Sequence, residues 1–284
     1  MRIPGPDTAT VAAADSFGAC LGAVLEQDPS WLPAVDPDGD PGSLMAASRV
    51  LGGLGLGLVR VHDAGSFSWP GPWIARVVTP GEHGGARYAL MYGVPSGVVW
   101  DPAGDGRVDP DRIADGFVIA AGDIALARPP LAQAPHETGT VTEIWVAGGA
   151  GVPARGLERV RALPGRGLEG DRHVDGSGTF PSGIPGSALT LIEAEVRDSF
   201  APPLGPDDHR RNLVVSGLAL NDLVGHEFTV GEVRCRGMRL CEPCTVVQRY
   251  AARPVLRALV HRGGLRADIL GAGEIRIGDP VRAC

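Results

Sequence analysis

The sequence predicts an α+β chain, with a small α+β module followed by a small β-barrel or strongly curved sheet. Three observations carry that expectation. Helix-spaced apolar residues are confined to the first ~50 positions and to short later segments. Strand-like runs separated by Gly and Pro turns fill most of the remainder. The charge is also uneven: residues 1–135 carry 15 acids and 8 arginines, whereas residues 136–284 carry 18 of each, so the halves read as different modules.

Residues 10–27 place Val11, Phe17, Leu21, Val24 and Leu25 at helical spacing, and residues 43–52 read as a second helix with Ser43 as its N-cap. Strands are expected at 56–62, 73–79, 87–94 and 97–100, punctuated by turn clusters such as WPGP. The Trp69–Trp73 segment is an apolar, turn-rich patch that reads as a core edge ahead of a cover over a pocket or a partner surface. The Pro- and Ala-rich stretch 127–139 lacks periodicity and reads as a linker, giving domains at 1–130 and 140–284 with 131–139 between them. In the second half, 140–147 is a strand, and 188–201 begins as a strand and turns helical. Residues 211–217, 227–238 and 274–283 are strands or hairpins, with Gly231 at a tight turn, and 255–262 is a short helix.

With 284 residues, 44% of them hydrophobic, the chain can bury sizeable cores without staples. All 26 basic residues are arginine. The absence of lysine excludes a Schiff base, and with it covalent pyridoxal-phosphate chemistry, and also a Walker A loop. A net charge of −7 and no arginine run longer than two argue against a nucleic-acid partner. No signal peptide or membrane-length apolar stretch is present, and five cysteines, an odd number, suit a reducing cytoplasm.

Four clusters carry candidate chemistry. Cys241-Glu242-Pro243-Cys244 is a C-x-x-C motif. Such a pair can serve as a reactive thiolate that carries sulfur or ligates a soft metal, as half of a zinc site, as a redox pair, or as two buried structural thiols. In Gly167–His173 (GLEGDRH), Gly170 lets the backbone approach a ligand while Asp171, Arg172 and His173 supply charge and hydrogen bonds. Arg210-Arg211-Asn212 offers guanidinium forks suited to phosphate plus a fixed amide. His261-Arg262-Gly263-Gly264 closes the short helix.

In this order, and with ALTLIEAE, RRNLVVSGLALNDLVGHEFTVGEV and GEIRIGDPV between and after them, the clusters resemble the MOSC domain, named after the C-terminal part of molybdenum cofactor sulfurase. The matching stretch runs from about Thr140 to Val281 and is similar to the bacterial branch with a C-E-P-C motif. The resemblance implies a β-barrel that binds molybdenum cofactor (molybdopterin) or carries sulfur as a persulfide. It implies Cys244 as the persulfide carrier or molybdenum ligand, with Gly170, Asp171, Arg172, His173, Arg210, Asn212 and Cys241 holding the cofactor. Arg210, Asn212 and the GLEGDRH loop are expected on one concave face with Cys244 at its floor, and His173 beside the bound oxo group or sulfur.

The alternative functions are a molybdenum-dependent reductase of N-hydroxylated compounds and an interaction scaffold that recruits a partner through residues 1–130. The enzyme classes left open are therefore an oxidoreductase and a sulfurtransferase. The implied partners are a small-molecule cofactor and a sulfur donor or reductase protein. Three features depart from the family: VDGSGTFPSG follows GDRH where a His-Gly pair is usual, residues 1–130 match no recognisable module, and the absence of lysine removes one basic cofactor contact.

Overall fold

The computed structural model describes residues 11–284 apart from 13–14, 38–39, 63, 65–68, 70, 79–84, 94–96, 122–136 and 180–184. Most of the expected linker, Pro70 of the Trp69–Trp73 segment and the end of VDGSGTFPSG lie outside the described residues. The chain divides into two compact units. The first comprises Met1–Ile124 together with Cys244–Val246, and the second Ala125–Pro243 with Val247–Cys284.

In the first unit, helices α1 (Ser16–Leu25) and α2 (Pro41–Gly53) precede five antiparallel strands. These are β1 (Leu56–Val61), β2 (Pro72–Val78), β3 (Ala86–Tyr92), β4 (Gly97–Trp100) and β5 (Ile113–Ala121), in the order β1-β5-β2-β3-β4. The apolar face of α1 drives the packing. Phe17 stands edge-on to Tyr88 and Phe117 at centroid distances of 5.1 and 5.2 Å, and Leu21, Leu51, Ile74 and Leu90 complete that core. Ser16 Oγ accepts the Tyr88 N–H at 2.9 Å, tying the helix start to β3. Ser43 is not an N-cap: it lies inside α2, where its hydroxyl donates to Asp40 O and accepts the Asp36 N–H. Val59, Val61, Trp73, Met91 and Val118, on the opposite face of the sheet, are also buried. The Cys244–Val246 segment forms a parallel bridge from Cys244 to Arg60, and Thr245 Oγ1 accepts the His62 N–H at 3.1 Å.

The second unit is a closed seven-stranded barrel. Its strands are β6 (Thr138–Val146), β10 (Leu189–Glu193), β11 (Leu213–Ser216), β12 (Glu227–Val230), β13 (Val233–Leu240), β14 (Leu265–Ile269) and β16 (Pro280–Ala283). The order β11-β10-β14-β13-β12-β16-β6 closes because β6 pairs back onto β11. Only β10–β11 is parallel; their connection carries α3 (Ala194–Asp198) and α4 (Pro206–His209). Strand β7 (Arg155–Leu157) extends β6, while β8 (Arg159–Leu163), β9 (Gly167–Leu168) and β15 (Gly273–Arg276) form a separate three-stranded sheet. Alternating residues such as Val141, Leu191, Leu213, Phe228, Val233 and Leu265 fill the interior. The β12–β13 hairpin turns at Gly231, φ 57°, where the sequence expects it.

Several elements differ from expectation. The helix foreseen over 255–262 is one turn, α6 (Leu256–Leu259), and α5 (Thr245–Tyr250) precedes it. Strands β5, β7, β8, β9 and β14 lie where the sequence reading expects none. Strand β6 begins at Thr138, inside the expected linker. Among the described residues no helix is long and apolar enough to cross a membrane.

Candidate functional site

The crossover from β10 to β11 ends in α4, whose C-terminal residue Arg210 takes a left-handed conformation, φ 58°. That reversal sends Arg210 and Arg211 in different directions. Arg210 Nη1 donates to Val152 O and Asp207 Oδ1, both at 2.8 Å, and its guanidinium lies 4.8 Å from the Tyr250 ring centroid. Arg211 is buried and clamps three segments, donating to His209 O (2.6 Å), Gly263 O (2.8 Å) and Cys241 O (3.0 Å). It therefore ties the crossover to both the C-E-P-C segment and the HRGG turn.

Asn212 uses all four hydrogen-bonding positions of its side chain. Its Oδ1 accepts from Thr190 N and Oγ1, at 3.2 and 2.8 Å. Its Nδ2 donates to Trp145 O and Asp171 Oδ2, both at 3.1 Å. Asp171 is equally committed: Oδ2 also accepts the Ala147 N–H and Oδ1 the His173 N–H. The GLEGDRH loop is thus fastened to the barrel end through buried polar contacts, the arrangement that holds such groups in one geometry. Arg172 bridges the same loop to the crossover, donating to Asp171 Oδ2 and Arg210 O at 3.5 Å.

The C-E-P-C segment leaves the end of β13. Cys241 is buried, and its N–H donates to Gly264 O at 2.6 Å. Gly263 and Gly264 admit no side chain: a Cβ on Gly263 would strike Cys241 O, and one on Gly264 would strike Leu191 O. Glu242 reaches the other way. Its carboxylate accepts the His261 N–H at 2.9 Å and meets His261 Nδ1 at 2.6 Å, with His261 at φ 56°. This contact sets His261 and replaces the helix-end role that the sequence suggests for it.

Charge concentrates here. Burial pushes the Cys241 thiol up, yet the Arg211, Arg266 and Arg239 guanidiniums outweigh it and hold the thiol below its usual value. Burial, with Arg210, Arg266 and Arg211 nearby, lowers Arg172 despite Asp171. Arg266 and Arg239 are half-buried residues that the sequence reading did not single out; they alternate outward on β14 and β13 and carry no motif of their own. Cys244 is a partly exposed free thiol, grouped with the first unit. The structure thus brings together Gly170, Asp171, Arg172, His173, Asn212 and, through Arg211, Cys241. Arg210 contributes its backbone oxygen to that cluster while its guanidinium is engaged elsewhere.

Two of the buried histidines, His173 and His209, are held neutral at pH 7. Burial chiefly, with the nearby Arg172 and Arg266, pushes His173 down to about 4. Burial and Arg211 push His209 to about 3. His209 Nδ1 accepts the Arg211 N–H at 3.0 Å, so a second ring proton would break that bond. Between pH 6.5 and 4 the unfolded chain therefore binds more protons, and stability falls as pH falls, at up to about 2.7 kcal/mol per pH unit for two groups. Urea unfolding at pH 7, 6, 5 and 4 should show this slope, reduced by about half in His173→Gln. An unchanged slope in that variant would refute the assignment for His173.

Residues 183–282 match the family model described as MOSC domain. No curated protein matches the chain. Among solved structures, the YuaD protein from Bacillus subtilis is similar at 18% identity and TM-score 0.42, over 51% of this chain and 95% of that one. YiiM from Geobacillus stearothermophilus is similar at 14% identity and TM-score 0.38, over 51% and 75%. YiiM from Escherichia coli is similar at 16% identity and TM-score 0.38, over 51% and 69%. MOSC domains are associated with molybdenum cofactor binding, and the match to that family, residues 183–282, falls almost wholly within the barrel unit of this chain.

Proposed function

We propose that this chain binds molybdenum cofactor or carries sulfur, with Cys244 as the thiol that ligates molybdenum or holds the persulfide. The observation that carries the reading is the arginine cluster around Cys241 and the GLEGDRH loop, within a unit that matches a MOSC domain.

The donor set fits such a cofactor. Among the described residues no group of three or more His, Cys, Asp or Glu is placed to hold a metal by itself. A metal that arrives chelated by its pterin needs a single protein thiolate, and a soft one suits molybdenum. When bound, the cofactor would supply a redox-active metal. Arg172, Arg266 and Arg239 would face its phosphate, since guanidinium forks match phosphate oxygens. Asp171 and Asn212 act as positioning residues, because their polar atoms already brace the loop. Neutral His173 offers a hydrogen bond without adding charge. A persulfide on Cys244 would be delivered by a sulfur-donor protein, and a reduction cycle would require a reductase partner.

The test is made on full-length protein purified from a host that makes the cofactor. Molybdenum by elemental analysis and the fluorescence of the oxidised pterin should both approach one equivalent per chain, or persulfide labelling should report sulfane sulfur on Cys244. Absence of all three would end the proposal.

A further inference from the structure

We propose a second binding site, for the phosphate group of a small phosphate ester, in a cavity of about 720 Å³ beside the three-stranded sheet. The groove shares Gly170 with the candidate cofactor cluster, but neither the cofactor reading nor Cys244 enters the argument for it.

Three arginines line this cavity: Arg155 from β7, and Arg159 and Arg161 from β8. The two on β8 are separated by two positions, so they project from the same face, while Val160 and Ala162 between and after them are buried. Gly170, at φ 78°, forms part of the wall, and a Cβ there would lie 3.9 Å from Arg155 Nη2. Among the described residues, none of the three guanidiniums has an ion pair or side-chain hydrogen bond. The acids nearby do not satisfy them. Glu274 lies directly across from Arg161 in the β15–β8 register, yet its carboxylate is bound to Arg276 at 2.6 Å. Glu169 is the other carboxylate on the lining, one charge against three.

The ligand class follows from size and charge. The site is an open groove whose three arginines are exposed to solvent, and its volume is in the range that seats a small molecule. Unpaired guanidiniums from neighbouring strands suit the paired oxygens of a phosphate group. Leu157 and Ala272, on the same lining, offer apolar surface to the carbon body of an ester. A nucleic acid fits poorly, because residues 136–284 carry as many acids as arginines.

The experiment titrates the full chain with phenyl phosphate, inorganic pyrophosphate and a long single-stranded DNA, by calorimetry at two salt concentrations. Phenyl phosphate should saturate with a dissociation constant of about 1 mM or tighter and bind more tightly than pyrophosphate. The Arg159→Gln/Arg161→Gln variant should weaken it at least tenfold. Unchanged affinity in that variant, no saturable binding, or binding of DNA alone overturns the site; pyrophosphate binding as tightly as the ester overturns the ester assignment. The same variant should keep the molybdenum or persulfide content of the parent chain, so failure here is separable from failure of the cofactor reading.

Discussion

Replacing Asn212 by alanine is expected to destabilise the barrel unit by roughly 3–4 kcal/mol, since buried groups stripped of their partners cost about 1–3 kcal/mol each. The side chain holds Thr190 N and Oγ1, Trp145 O and Asp171 Oδ2 at once. Alanine leaves the Trp145 oxygen and one bond of the Asp171 carboxylate unmade in a site where Asn212 is 2% exposed. Asn212→Asp should be worse than alanine, because it sets a second carboxylate against Asp171 Oδ2, where the amide now donates at 3.1 Å. Urea midpoints of the parent chain and the two variants check this. A loss under 1 kcal/mol in alanine, or an aspartate variant as stable as the parent, would show that the network does not brace the loop.

Replacing Cys244 by alanine is expected to abolish molybdenum or persulfide retention while the fold survives. Cys244 is partly exposed, so removing its sulfur costs little packing. Cys241→Ala should retain most of the bound species, because the recorded ties of Cys241 are backbone ones, its N–H to Gly264 O and its O from Arg211. Alkylation should separate the thiols too: Cys244 reacts in the folded chain, whereas buried Cys241 waits for opening, despite the arginines that favour its thiolate. Elemental analysis, persulfide labelling and peptide mapping after brief iodoacetamide treatment measure all of this on one preparation. Equal loss from both variants would mean that both sulfurs hold the group; full retention in Cys244→Ala would remove the carrier and ligand readings together.

The barrel was legible because its strands alternate and its turns fall on glycines such as Gly231, which are local signals. What escaped the sequence depends on partners far along the chain. Strand β5 was missed because Gly116 interrupts its apolar run, yet the glycine is required: a Cβ there would strike Ile74 O on β2. Strand β14 was missed because it follows the HRGG turn, which reads as a helix end. The resemblance to the MOSC pattern, not any local signal, assigns Arg210 and Asn212 to the cofactor. Arg210 meets Asp207 and Tyr250 from a left-handed backbone, and Asn212 meets residues 22, 41 and 67 positions away. The residue between them, Arg211, reaches Cys241, and no property of the RRN triplet distinguishes it in advance.

The number of strands in the barrel has a consequence of parity. Going once around a closed ring of strands, direction must return to its starting sense, so the antiparallel steps must be even in number. Seven strands make seven steps, and at least one must be parallel; here it is β10 to β11. A parallel neighbour cannot be reached by a hairpin and demands a crossover. That obligatory excursion, residues 194–212, is what carries α3, α4, His209 and the two arginines over the barrel end and delivers Asn212 to Asp171. In a ring of six or eight strands an all-antiparallel solution exists, no excursion is required, and the GLEGDRH loop would have nothing arriving from above to hold it.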